Sequence, residues 1–302
     1  MTEAELLDRL RELPLHPAAR NLRDDAAVLD AGRLVVTTDT LVEGVHFLPT
    51  DPAGDVAWKL LATNLSDLAA KGANVEGVLL NYPLRDDDWD RAFLAGFAEA
   101  MAQFGARLIG GDTVSLPQKA PRVLTLTAFG SDAAAPSRTG ARVGDALWVT
   151  GTIGDAGAGL AVARGQPGPA ELLAAYRRPH PPLAEGRLLA PLVHAMMDVS
   201  DGLLIDARRL AAASGLAATI DLAAVPLSPA YRSFAGDDRA ARFDAAIAGD
   251  DYQLLFALPE AVEPPVAATR VGMLAPGSGL ALHDGGEPVP LPPRLGFEHA
   301  AT

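Results

Sequence analysis

Six aspartates along this chain are set in similar places, most of them where an apolar run meets a turn, a glycine or a small polar residue. The positions are Asp25 in RDDAAVLD, Asp39 in VVTTDTL, Asp67 in NLSDLAAKG, Asp112 in IGGDTVS, and Asp198 and Asp201 in MMDVSDGLL. A carboxylate at such a junction is poorly suited to a core and well placed at a strand mouth to coordinate a hard cation. Mg²⁺ takes oxygen ligands, keeps several waters and is held by a few carboxylates together with substrate phosphates. The pattern therefore points to a metal-dependent site for a phosphorylated ligand.

The 302 residues suffice for one large domain or two ordinary ones. With 49% hydrophobic and 21% charged residues the chain is globular rather than disordered. No apolar run approaches the roughly 18 residues of a membrane span. The start, MTEAELLDRLREL, reads as an amphipathic helix and not as a signal peptide, so a cytoplasmic protein is expected. The absence of cysteine excludes disulfides, thiolate metal sites and a Cys nucleophile. A net charge of -13 argues against a nucleic-acid partner. An acidic protein that handles anionic ligands needs a local reversal of sign, which bound divalent metal supplies.

Both halves read as mixed strand and helix. Strands are expected over 33–42, 74–84, ARLIGGDTV and RVLTLTAFG, and helices over 55–72 and 86–105. In the first helix Val56, Leu60, Leu61, Leu65 and Leu68 form an apolar side, Asp55 is the expected N-cap and Gly72 the C′ residue. Asn64, Asp67 and Lys71 share a second face. The small-residue segment 131–145 marks a domain boundary, dividing the chain into 1–137 and 138–302. Beyond it come strand ALWVTG, a glycine-rich turn, helix AGLAVARG, the Pro-rich 177–183, helix AEGRLLAPLVHA, helix 201–215, strand ATIDLAAVPL and a turn leading into strand QLLFALP.

Taken singly, most of these acids have a bland explanation. Asp24–Asp25 reads as a solvated turn, Asp67 as an ion-pair partner of Lys71, the DDD of 86–88 as helix N-terminal charge, Asp201 as an N-cap and Phe297 as packing. Others resist it. TTDTLVEGVHF sets Thr37, Thr38 and Asp39 at a strand end with His46 just beyond. GGDT allows close backbone approach at Gly111. DVSDG flanks Ser200 with acids before a helix N-terminus, where anions are favoured. Asp250 and Asp251 stand at another strand mouth. GTIGDAGAG is not a Walker A loop, because no Gly-Lys-Ser/Thr follows.

DDAAVL, TTDTLVEGVHF, NLSDLAAKGA, IGGDT, SRTGARVGD, VTGTIGDAGAGL, DVSDGL and GDDYQLLF occur in the order and approximate spacing of the bacterial thiamine-monophosphate kinase family. The resemblance runs from about residue 20 to 300. That family belongs to the superfamily of aminoimidazole ribonucleotide synthetase. The resemblance implies two α/β (α+β) domains: an N-terminal mixed sheet with helices, forming a barrel in a homodimer, and a C-terminal α/β domain completing the active site. It implies ATP-dependent phosphorylation of thiamine monophosphate with several Mg²⁺ ions. Asp25, Asp39, Asp67, Asp112, Asp198 and Asp201 match metal ligands, completed by Thr37 and Thr38. Gly111, Asp112, Arg138 and Ser200 match ATP contacts, and His46, Asp250 and Phe297 match substrate contacts. Asp39, Asp67, Asp112 and Arg138 form the implied catalytic group. The chain departs from the family at Arg23, where a glycine is usual, and in Gly-Asp-Asp-Tyr-Gln at 249–253, where Gly-Glu-Asp-Tyr-Glu is usual.

Rival readings are another ATP-using member of the superfamily, a non-catalytic nucleotide or thiamine-phosphate binding protein, and a metal-dependent phosphohydrolase. The missing cysteine counts against relatives whose chemistry runs through a thiol.

Overall fold

The computed structural model describes residues 9–16, 32, 34–117, 119–131 and 134–298. They divide into two compact units, one of residues 1–68 and 73–133, the other of residues 69–72 and 134–302.

The first unit runs β1 (Leu34–Val42), α1 (Ala53–Ala69), β2 (Asn74–Leu84), α2 (Asp87–Phe104), β3 (Leu108–Ser115) and β4 (Val123–Ser131). Its sheet has the order β1-β4-β2-β3, antiparallel except for the β2–β3 pair. Alternation along β1 and β4 creates two unlike faces. Leu41, Leu124, Leu126 and Ala128 are buried on one, and Leu34, Val36 and Val123 remain exposed on the other.

The apolar side foreseen for α1 is fully buried at Val56, Leu60, Leu61, Leu65 and Leu68. The helix starts two residues earlier than expected. The Pro52 carbonyl already accepts from the N–H groups of Asp55 and Val56, both at 3.0 Å, so Asp55 lies in the first turn and is not the N-cap. Gly72 follows the helix at φ 62. In α2, Asp86 caps the start by accepting from the Trp89 N–H at 3.1 Å, and Gly105 ends it at φ 67. Tyr82 of β2 packs on Phe93 of α2 with ring centroids 4.9 Å apart, and Trp58 of α1 meets Phe104 of α2 edge-on at 5.2 Å.

The second unit contains β5 (Asp145–Thr150), α3 (Asp155–Ala163), α4 (Ala170–Arg177), α5 (Leu183–Leu189), β6 (Ala195–Val199), α6 (Leu203–Ala213), β7 (Leu216–Asp221), α7 (Pro229–Ala235), α8 (Arg239–Ile247), β8 (Gln253–Pro259), β9 (Ala268–Pro276), β10 (Gly279–Asp284) and β11 (Glu287–Val289). Its sheet order is β11-β10-β7-β9-β5-β8-β6. The helix expected over AEGRLLAPLVHA stops at Leu189, because Pro191 cannot continue it. The residues after it open β6, which sequence reading placed no strand on. β6 is covered on both faces, so its run shows no alternation. Ala195, Met197 and Val199 enter one apolar cluster and Met196 the other. The strand expected over ATIDLAAVPL is shorter, ending at Asp221 in a 3₁₀ turn.

Where α1 and α2 cross, a Cβ built on Gly96 would lie 2.3 Å from the Gly54 Cα. Replacing a helical glycine by alanine ordinarily gains about 1 kcal/mol. Forcing atoms into a filled contact costs about 1–3 kcal/mol, and here the obstacle is backbone. We expect Gly96→Ala to lower the unfolding free energy by about 1–2 kcal/mol in urea titration; an increase would show that the helices part freely.

Candidate functional site

In the first unit, β1 carries two neighbouring candidates to opposite sides of the sheet. Thr37 and Asp39 face α1, while Thr38 lies on the open face and donates to the Leu126 carbonyl at 3.0 Å. The Thr37 hydroxyl donates to Asp67 of α1 in a short hydrogen bond. The Asp39 N–H, on an edge strand, donates to the Asn64 side-chain oxygen at 3.1 Å. Asn64 is fully buried, and its amide nitrogen donates to the Leu60 carbonyl. Asn64 and Asp67 of the second face foreseen on α1 thus dock against β1, whereas Lys71 lies past the helix end and its ammonium donates to the Pro136 and Met196 carbonyls. Burial, and secondly the charge of Asp67, push the Asp39 carboxyl up to about 6. Both causes disfavour the charged form. A cation between the two acids would remove this penalty, and the donors are oxygens alone, so Thr37, Asp39 and Asp67 fit Mg²⁺.

Asp112 sits elsewhere on the same sheet. Register places it in a row with Asn81, Thr125 and Thr40 on the open face, at the β3 edge, exposed. The sheet itself does not bring it beside Asp39. A Cβ on Gly111 would stand 1.8 Å from the Leu80 carbonyl oxygen, so β2 and β3 pair this closely only with glycine there. His46, in the turn after β1, accepts the Val42 N–H on Nδ1 at 3.0 Å, which leaves Nε2 as the protonated nitrogen. The buried Lys59 ammonium donates to the His46 carbonyl. Asp25 lies outside the described residues.

In the second unit three segments distant in sequence converge. The turn after β6 carries Ser200 and Asp201, the segment before β8 carries Asp250 and Asp251, and the chain near its end carries Phe297. Their backbones bond directly: Asp250 N–H to the Ser200 carbonyl at 2.8 Å, Tyr252 N–H to the Val199 carbonyl at 2.8 Å, and Phe297 N–H to the Asp201 carbonyl at 2.9 Å. Such approach needs bare backbone. A Cβ on Gly249 would lie 2.7 Å from the Ser200 oxygen, and one on Gly296 would lie 2.4 Å from the Asp201 oxygen.

Asp198 is buried on β6. Asp201 does not cap α6; Gly202 holds the N-cap position with no side-chain hydrogen bond. Instead Asp201 takes a short hydrogen bond from Arg209, which also donates to Asp206 at 2.9 Å. Asp206 is fully buried and accepts the N–H groups of Ser200 and Asp201 at 3.2 and 3.0 Å. Burial raises its carboxyl above the ordinary value, opposed by these donors. Arg138 is exposed, and its loop is pinned by Ser214 Oγ donating to its carbonyl at 2.8 Å and by Met196 N–H donating to the Ser137 carbonyl at 3.3 Å. Asp251 is buried and accepts the N–H groups of Gly154 and Ala156 at 2.7 and 3.3 Å, fastening the glycine-rich turn before α3.

Asn64, Asp206, Arg209 and Tyr252 are the residues around these sites to which sequence reading gave no role in the chemistry. For Asp206 and Arg209 a signal existed, an acid and a base spaced i, i+3 just after DVSDG. Among the described residues, no three His, Asp or Glu side chains gather closely enough to hold a metal ion.

Two family signatures match the chain: AIR synthase related protein, N-terminal domain, over residues 23–131, and its C-terminal domain over residues 142–266. The thiamine-monophosphate kinase of Escherichia coli (strain K12) is 36% identical, over 99% of this chain and 97% of that one. The crystal structure of thiamine-monophosphate kinase from Stenotrophomonas maltophilia K279a superposes with a TM-score of 0.81 at 36% identity, covering 96% of this chain and 98% of that one. AaThiL complexed with AMPPCP and TMP superposes with a TM-score of 0.79 at 29% identity, covering 91% of each chain. By signature, by sequence over its whole length and by fold, the chain belongs to the thiamine-monophosphate kinase family of AIR synthase related proteins.

Proposed function

We propose that the chain transfers the γ-phosphoryl group of ATP in line to the phosphate of thiamine monophosphate, yielding thiamine diphosphate and ADP. One observation carries the reading: within a member of this family, Asp39 and Asp67 stand as a pair of like charges, with Asp39 raised to about 6 by burial and by its partner. The relative that holds AMPPCP and TMP supports both substrates.

The acceptor is already an anion at neutral pH, so no strong general base is required. The barrier is repulsion between two phosphates, and phosphoryl transfer is mostly positioning and charge neutralisation. The chemistry that bound Mg²⁺ would supply is neutralisation of phosphate charge. Thr37, Asp39 and Asp67 would hold one such ion, and Asp25, Thr38, Asp112, Asp198 and Asp201 would serve further ions, Thr38 and Asp112 from the opposite face of the sheet. The residues' own contributions follow from their settings. Asn64 fixes the backbone of Asp39, and Thr37 fixes the carboxylate of Asp67. Asp206 holds the Ser200–Asp201 turn rigid at the start of α6, whose N-terminus favours an ATP phosphate near Ser200. The exposed Arg138 guanidinium offers a forked contact to phosphate oxygens, and Gly111 admits the nucleotide close to the backbone. His46 presents an Nε2 N–H to the substrate. Phe297, 45% exposed, offers a ring face to the cationic thiazolium. On this reading residues 1–137 carry metal and ATP binding and dimerisation, and residues 138–302 supply Arg138, Ser200, Asp250 and Phe297.

The same reading makes the protein a homodimer through the open face of the first sheet. That face leaves Val36, Val114, Val123 and Leu34 exposed, an apolar surface of the kind that marks an interaction site. Sedimentation should give twice the chain mass, and Val36→Asp should halve it; a monomer at micromolar concentration removes the dimer.

The purified protein with Mg-ATP should release ADP only when thiamine monophosphate is present, matched by thiamine diphosphate. ADP without dependence on the acceptor would mean a hydrolase, and no ADP would mean a binding protein. Asp39→Asn and Asp67→Asn should each lower turnover at saturating Mg²⁺ by at least about tenfold with the fold intact, and unchanged kinetics would remove the metal assignment. Phe297→Ala should raise the KM for thiamine monophosphate more than that for ATP.

A further inference from the structure

The segment Gly249–Gln253 contains two non-glycine residues in the left-handed region, Asp250 at φ 70 and Tyr252 at φ 51. Asp enters this region with some ease, whereas a bulky aromatic there is an outlier. Such residues persist only where their surroundings over-determine them. Here they do. The N–H groups on either side of Asp251 are tied to the Ser200 and Val199 carbonyls, and the Asp251 carboxylate is tied into the glycine-rich turn by two N–H groups. Asp251 therefore turns inward as an anchor. The two left-handed residues flanking it are left facing each other, and the Tyr252 hydroxyl donates to Asp250 Oδ1 at 2.9 Å.

Neither Asp250 nor Tyr252 lies in a strand; β8 begins at Gln253, and both residues adopt the left-handed backbone. That strained backbone makes the contact between them possible. Tyr252 is 7% exposed while Asp250 is only half-buried, so the ring is the more deeply embedded of the two. The direction of control thus runs from the fixed group to the freer one.

Resting on the kinase reading above, we propose that Tyr252 is a positioning residue. Its hydroxyl holds the Asp250 carboxylate in the one orientation that meets thiamine monophosphate, and the left-handed backbone of both residues exists to make that contact. A tyrosine serving only the core would need a partner for its hydroxyl, and losing that hydroxyl would disturb both substrates alike or neither.

The test is a double-mutant cycle on the full-length protein, with Tyr252→Phe, Asp250→Ala and the double variant. Binding of thiamine monophosphate is read by calorimetry, alongside KM and kcat for both substrates. Tyr252→Phe should weaken thiamine monophosphate binding about three- to tenfold, the scale of one net hydrogen bond, while the KM for ATP stays put. In the Asp250→Ala background the same substitution should have no further effect, because a residue that acts through another is silent once that other is gone. Additive losses, equal losses for ATP, or unchanged binding in Tyr252→Phe would each overturn the proposal. If Asp250→Ala binds thiamine monophosphate normally while the wild type still forms thiamine diphosphate, this inference fails and the kinase reading stands. If the wild type forms no thiamine diphosphate, the kinase reading fails first and takes this inference with it.

Discussion

Repulsion between carboxylates is the constraint around which the rest of this molecule is arranged. Two unit charges about 4 Å apart repel by about 1 kcal/mol in water and about 4 kcal/mol near a protein surface. A single hydrogen bond returns only about 1 kcal/mol net. No one contact can therefore hold such a pair in place, and each cluster is surrounded by several donors. In the first unit the partners are neutral: the Thr37 hydroxyl donates to Asp67, and the Asn64 side-chain oxygen accepts the backbone N–H of Asp39. They orient the acids without cancelling their charge, so burial, and secondly the charge of Asp67, keep Asp39 raised to about 6. In the second unit cancellation is local. Arg209 bridges Asp201 and Asp206, and backbone N–H groups complete Asp206.

That difference bears on function. On the proposed reading, an acid pair with no counter-charge among the described residues suits a cation that arrives from outside, whereas Asp201, already met by a guanidinium, would be a weaker ligand. On the proposed reading Asp39 and Asp67 would be the stronger metal ligands; the turn that carries Asp201 is instead held rigid within its own unit. Rigidity there comes from backbone meeting backbone. Three segments separated by tens of residues are joined by N–H to carbonyl bonds, with Gly249 and Gly296 where any side chain would intrude. A loop held this firmly can keep Asp250 and Tyr252 in conformations that an unsupported chain would leave.

Much of the fold was legible because its elements have one buried face. The strand 74–84 and the helix 86–105 follow directly from alternation, from the capping Asp86 and from Gly105. β8 falls on the expected strand QLLFALP, whereas β6 was harder. β6 is apolar on both sides, since residues of odd and even number enter different cores, and such a run does not separate strand from helix. The edge of α5 depended on Pro191, and the start of α1 on a proline carbonyl rather than on the acid Asp55 that follows it.

By itself the sequence determined the chemistry available to this protein: aspartates with small neighbours, no thiol, a strongly acidic balance, and motifs whose order marks the family. Residue type and short spacing suffice for that, because ligand preference is a property of the side chain. Only the tertiary structure decided which of these residues meet. It set Asp39 against Asp67 but Asp112 on the far face of the same sheet, gave Asp201 to Arg209 rather than to a helix cap, and turned Asp251 inward so that Asp250 faces Tyr252. Those outcomes rest on strand register and on backbone contacts between distant segments. Both are sums over the whole chain, and no local stretch of residues contains them.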